Sequence, residues 1–162
     1  RRFSLCIATR ELMMTYSHWD ANLLIVAATV ISIGITVLLH YEGLAYISNW
    51  LAKRRDKVSR RKVLYAMFSV LGLHILEIWV FGITIWLLLK YPETGSIAGA
   101  HPLNLFDGVY MSAVTYTTVG FGDVAPIGPI RFLAGTESLT GFVLITWSAS
   151  FTYLEMERFW LK

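Results

Sequence analysis

Residues 117–123 read Thr117-Thr118-Val119-Gly120-Phe121-Gly122-Asp123. The chemistry on offer there is that of the backbone. A cation stripped of its water needs oxygen ligands, and successive main-chain carbonyls turned toward one axis supply them. Glycine permits the conformations that turn consecutive carbonyls the same way. Gly120 and Gly122, alternating with Val119 and Phe121, meet that demand, and Thr118 adds a hydroxyl at one end of the column. A second group of candidates is ionisable. His74 and Glu77 stand three apart and share one face of a helix. Glu137 stands alone in an apolar stretch.

Three apolar segments are long enough to position these residues in a bilayer, which a helix of about 20 residues crosses. The first starts near Ala21 and runs to Leu39, continuing as helix to about Ala52; the second covers Val63 to Leu89; the third covers about Ile130 to Leu154. Composition agrees: 56% of residues are hydrophobic and 15% charged, against about half and about a quarter in a soluble domain. Between the second and third spans, Asn104 is placed to cap a helix, with Asp107 at its positive end. Thirteen residues after that cap extend roughly 20 Å at about 1.5 Å each, short of an apolar core about 30 Å thick. Gly120, Gly122, Pro126, Gly128 and Pro129 then break the helix. Irregular backbone at membrane depth has to line water or be buried in protein, so a short helix over 104–117 followed by a return strand reads as a re-entrant loop. The negative end of that helix points a partial charge at the loop, which favours a cation there.

This arrangement resembles the potassium channel superfamily. Thr-Val-Gly-Phe-Gly-Asp at 118–123 is a variant of that family's Thr-Val-Gly-Tyr-Gly-Asp signature. Phenylalanine filters of this kind occur in two-pore-domain and some voltage-gated-like potassium channels. The similarity extends from about Asn104 to Phe159, and with the second span as outer helix, residues 63–159 look like a two-helix pore module. One extra span in front makes the chain similar to small prokaryotic-type ion channels. The resemblance implies potassium sites built by Thr118, Val119, Gly120, Phe121 and Gly122, supported by Thr117, Asp123 and Tyr116. Potassium is then the only metal, as the permeant ion, and no other cofactor is expected. One chain supplies one loop, whereas a carbonyl ring needs about four. Closed symmetry makes the expected assembly a homotetramer.

Further roles follow from position. Gly141 in the third span is expected either as the inner-helix hinge that the resemblance implies or as a close-packing site. On the hinge reading, Gly141→Ala lowers open probability, and Phe142, Ile145, Ala149 and Thr152 line the cavity and its inner constriction. A charged acidic side chain at membrane depth costs about 2.5–3.5 kcal/mol on insertion scales. Glu137 is therefore expected to be protonated or to brace the short helix through Thr115, Tyr116 or a water, with filter tuning or a proton-dependent gate as the functional alternative. The His74–Glu77 pair is expected to bond Thr29 or Ser32 of the first span, against pH sensing or metal binding. His40 and Glu42 read as interfacial anchors, as do Trp19, Trp50, Tyr91 and Trp160. Val114 stands where some bacterial channels carry a glutamate bonded to the filter aspartate, so Asp123 needs another partner, Tyr110 or Tyr116.

Charge sets the orientation. Lys53 to Lys62 holds seven basic residues against Asp56 alone, which places this loop in the cytoplasm. It anchors headgroups and offers an anionic-lipid contact. The amino terminus is then outside, with Arg1, Arg2 and Arg10, and the carboxyl terminus inside. No span repeats arginine every third residue, so no voltage sensor is expected. The stretch after Trp160 is too short for a cytoplasmic ligand-binding domain, and none is expected. The expectation is an all-α integral membrane protein of the plasma (cell inner) membrane. It comprises an N-terminal segment 1–18, an extra span and basic loop 19–62, and a pore domain 63–162 with outer helix 63–89, pore helix 104–117, filter 117–123 and inner helix 130–154. It conducts potassium passively, is no enzyme, and binds lipids but no nucleic acid. The competing readings are a non-conducting sensor or auxiliary subunit, a component of a potassium uptake system, and a non-selective cation channel.

Overall fold

The structure is a computed structural model that describes residues 19–53, 61–99 and 104–160, excluding the side chains of 61 and 158–160. The expected segment 1–18 and most of the basic loop, residues 54–60, lie outside it. Helices α1 (Trp19–Lys53), α2 (Arg61–Leu88), α3 (Leu105–Tyr116) and α4 (Arg131–Trp160) carry the described fold, with two short strands, β1 (Ser96–Ala98) and β2 (Ala125–Ile127).

Helix α1 buries Ala21, Ile25, Thr29, Ser32, Thr36, His40, Leu44, Ile47 and Leu51. The spacing is that of one helical face, yet its middle is polar, while Leu23, Val30, Ile31 and Leu38 on other faces are exposed. A helix in water does the reverse. Hydrocarbon selects this pattern, because a polar group there finds partners only inside the protein. Those partners exist. Thr29 Oγ1 donates to Ile25 O at 2.7 Å, Thr36 Oγ1 donates to Ser32 O at 2.8 Å, and Ser32 Oγ pairs with Thr84 Oγ1 of α2 at 2.9 Å.

Contacts of Ser32 with Thr84, His40 with Glu77, and Gly43 with Leu73 make α1 and α2 antiparallel. Both are long and apolar enough to cross a membrane. The third span, expected over 130–154, corresponds to α4, which runs 30 residues. Thr136, Glu137, Ser138, Thr140, Thr146, Ser148 and Ser150 lower its hydropathy, and among the described helices only α1 and α2 reach that level of apolarity.

Two apolar clusters hold the bundle. Leu44, Ile47, Leu51, Ala66, Val70 and Leu73 join α1 to the first half of α2. Ile25, Phe81, Ile85, Leu88, Ile97, Met111, Val114, Tyr116, Ile130, Leu133 and Ala134 bring every helix together around α3. Helix α3 sits tight on α2 because two glycines meet. A Cβ on Gly82 would lie 2.6 Å from Val109 Cα, and one on Gly108 would lie 2.8 Å from the Gly82 carbonyl oxygen. Strands β1 and β2 pair antiparallel, Ser96 with Ile127 and Ala98 with Ala125. This ribbon ties the chain leaving α2 to the chain returning after residue 123. Ile130 N donates to Thr94 O at 2.9 Å and closes the same junction.

Candidate functional site

The site is assembled on α3. A reciprocal cap starts that helix: Asp107 N donates to Asn104 Oδ1 at 2.9 Å, and Asn104 N donates to Asp107 Oδ2 at 2.8 Å. Twelve residues later it ends at Tyr116, with Thr117 as its C-cap. At about 1.5 Å per residue it is about 18 Å long, too short to cross an apolar core of about 30 Å.

The chain then folds back on the helix end. Thr118 N donates to Thr115 O at 3.0 Å and Gly120 N donates to Val114 O at 3.2 Å. Positive φ angles occur at Thr118 (58°), Gly120 (56°) and Gly122 (81°), and not at Val119 or Phe121 between them. An alternation of backbone sign of this kind allows successive carbonyls to face one side. Thr118 is the one described residue other than glycine with positive φ. A left-handed conformation costs such a residue of order 1–3 kcal/mol, so the surrounding hydrogen bonds must impose it. Residues 117–123 are exposed in the single chain, with Val119 at 55% and Phe121 at 71%. At the far end Tyr110 Oη donates to Asp123 Oδ2 at 2.7 Å. Tyr110 is one of the two partners the sequence suggested. That bond to the carboxylate pushes the Tyr110 phenol above its ordinary value, so it stays a donor.

Behind the loop lies a polar cluster. Tyr116 Oη donates to Glu77 Oε2. His74 Nδ1 lies 2.8 Å from the same oxygen and 3.0 Å from Tyr116 Oη, and His40 Nδ1 lies 2.8 Å from Glu77 Oε1. Against an ionised carboxylate, which only accepts, the two imidazoles are the donors. Ser148 Oγ of α4 is 3.4 Å from His40 Nε2. His40, Glu77 and Tyr116 are fully buried.

Here the structure corrects two expectations. The His74–Glu77 pair bonds neither Thr29 nor Ser32. Those hydroxyls are spent on Ile25 O and Thr84, and the partner from α1 is His40. His40 is accordingly no interfacial anchor; it is 0% exposed. The signal was in the sequence. Thr29, Ser32, Thr36 and His40 fall on one face of an apolar span, and a polar stripe there has to face protein.

Glu137 also reaches α3, but one turn earlier than expected. Its partner is Ser112, not Thr115 or Tyr116, because Ser112 is buried toward both α2 and α4. Ser112 Oγ also lies 2.9 Å from Ile78 O, and Glu137 Oε2 has no hydrogen-bond partner among the described residues. Gly141 is buried against the end of α3, where a Cβ would collide with the Tyr116 carbonyl. Its observed part is therefore close packing. Of the expected cavity residues, Phe142 is 58% exposed in the single chain. Ile145, Ala149 and Thr152 border a groove between α2 and α4, opposite Leu64, Met67 and His74.

A family model described as ion channel matches residues 73–156, just over half of the chain. Protein LctB of Geobacillus stearothermophilus is 34% identical over 67 residues, covering 41% of this chain and 50% of that protein. Protein LctB of Bacillus caldotenax is 45% identical over 40 residues, covering 25% and 30%. The chain thus spans half or less of the length of these curated relatives. No solved structure matches. The matched region holds α3, the loop 117–123, the Glu77 cluster apart from His40, and nearly all of α4, so the chain belongs to the ion channel family.

Proposed function

We propose that this chain is one subunit of a potassium-selective channel that conducts passively through a pore formed by four copies. The observation that carries the reading is the alternation of φ sign at Thr118, Gly120 and Gly122, at the end of a helix too short to span. In this reading Thr118 to Gly122 supply the carbonyl column, Thr117, Tyr116 and Asp123 brace it, and α2 and α4 are the outer and inner helices. No covalent step is involved. Four loops around one axis replace the shell of a dehydrated ion, whereas one loop offers a single arc. The exposure of Val119 and Phe121 supports this, since neighbouring copies would cover them.

The remaining assignments rest on the same reading. The protein lies in the plasma (cell inner) membrane with its amino terminus outside and the 53–62 loop in the cytoplasm, where it touches anionic lipid. Helix α1 braces α2 from the lipid side. Flux into proteoliposomes with potassium, rubidium and sodium tests selectivity, and mass measurement in detergent tests assembly. Rubidium and potassium are expected to pass and sodium to be rejected, from a particle of four chains. Equal sodium and potassium flux would sink the selectivity, and a monomer or dimer would sink the assembly.

A further inference from the structure

His40, His74 and Glu77 have no part in the carbonyl column, yet they converge on one point. Their donor atoms, one from each side chain, all lie within 4.8 Å of one another. The side chains of His40 and Glu77 are 0% exposed and that of His74 is 14% exposed. We propose that His40, His74 and Glu77 form a binding site for a divalent ion of the zinc class.

The donor set carries the identity. Two imidazole nitrogens and one carboxylate suit zinc, cobalt, nickel or copper, whereas calcium and magnesium take oxygen alone. Metal–donor distances of about 2.0–2.1 Å in a tetrahedron place the donors about 3.4 Å apart. The two imidazoles each contact a different oxygen of Glu77 at 2.8 Å, and one donor atom from each residue already lies within 4.8 Å of the others, so small side-chain shifts bring the three donors to that spacing. Two helices supply the ligands, α1 through His40 and α2 through the other two, so the site is held by packing and not by a loop.

The surroundings fit as well. A ligating imidazole usually gives its other N–H to a nearby acceptor. When His40 Nδ1 holds the metal, Nε2 carries the proton, and Ser148 Oγ is 3.4 Å away to receive it. Tyr116 Oη, 3.0 Å from His74 Nδ1, is placed as a fourth donor, an oxygen. His74 also lines the groove between α2 and α4, a space of about 450 Å³ bordered by Ser148 and Thr152, which gives an ion a way in. Without the ion, Glu77 accepts from His40, His74 and Tyr116. The cluster is therefore complete by itself, and binding replaces these hydrogen bonds with metal–donor bonds, the imidazole protons moving to Nε2, without building the fold.

Cobalt serves as the probe, titrated into the full chain purified in detergent. His18 and His101, the other two histidines, are changed to glutamine in every sample so that only the cluster offers imidazole. One cobalt per chain with the intense visible bands of a tetrahedral site, displaced by zinc, is expected. His74→Gln removes the ligand that is partly exposed, and its apparent affinity is expected to fall at least about tenfold. Glutamine keeps an N–H for Glu77, so the variant's melting curve without metal should remain a single transition within a few degrees of the parent, which separates a lost ligand from a lost fold. Zinc should raise the melting midpoint of the parent and leave that of His74→Gln unmoved. Weak octahedral bands in the parent, unchanged binding in His74→Gln, or an equal shift with calcium would each overturn the assignment. The outcome is independent of the ion that the loop 117–123 passes.

Discussion

Two buried carboxylates contact α3 and differ in how they are supplied. Glu77 meets three donors from three helices: His40 of α1, His74 of its own α2 and Tyr116 of α3. Glu137 has Ser112 alone. Ser112 has one hydroxyl proton and two acceptors within reach, Glu137 Oε1 and Ile78 O. The count closes when Glu137 carries a proton, since its O–H donates to Ser112, which then donates to Ile78. The two residues are both 0% exposed, so burial does not separate them. The number of donors does. Glu77 is arranged to be an acceptor, whereas Glu137 works as one link in a chain of hydroxyls.

Substitution sharpens this contrast, with thermal unfolding in detergent as the common measurement. Glu77→Gln turns an NH2 group toward groups that were donating and is expected to cost about 3 kcal/mol, because each orphaned buried donor costs about 1–3 kcal/mol. Ser112→Ala removes the acceptor of the Glu137 O–H and the donor to Ile78 O; a loss of about 2 kcal/mol is expected on the same scale. Tyr116→Phe takes one of three donors from Glu77, and the other two remain, so about 1 kcal/mol should be lost. Glu137→Gln keeps a donor for Ser112 and is expected to stay within about 0.5 kcal/mol of the parent. If Glu77→Gln were the mild change and Glu137→Gln the severe one, the contrast would be reversed and the donor count would not be its cause.

Local features of the site were easier to read from the sequence than its partnerships. Asn104 and Asp107 announce the start of α3, and Gly120 and Gly122 announce the positive φ angles that follow. Each depends on residues close in the chain. The partners of Glu77 and Glu137 depend instead on how helices rotate about their axes, which is set by packing. Gly82 against Val109 and Gly108 against Gly82 fix the rotation of α3 on α2, and that rotation hands Ser112 to Glu137 in place of Thr115. Hydropathy marks α1 as a long apolar helix, but it averages over all faces and hides the polar stripe ending at His40. Thr118 is a further case. A β-branched residue gives no local reason for a φ of 58°, and it takes that angle because its N–H is held by Thr115 O.

The hydrogen bonds at the two ends of the loop 117–123 have a thermodynamic consequence. Its entry follows Tyr116, the last residue of α3, and its exit is held by Tyr110 of the same helix through Asp123. Gly120 is bonded to Val114 in between. One helix therefore closes the loop on itself, and the entropy of ordering it is lost when the chain folds. In the proposed four-chain pore, copies would meet a loop already shaped, and association would be relieved of that cost. Releasing Asp123 with Tyr110→Phe would move part of the entropy loss to the association step. It would then appear first as a weaker dependence of folding on this contact and a stronger dependence of assembly on protein concentration, before any helix is lost.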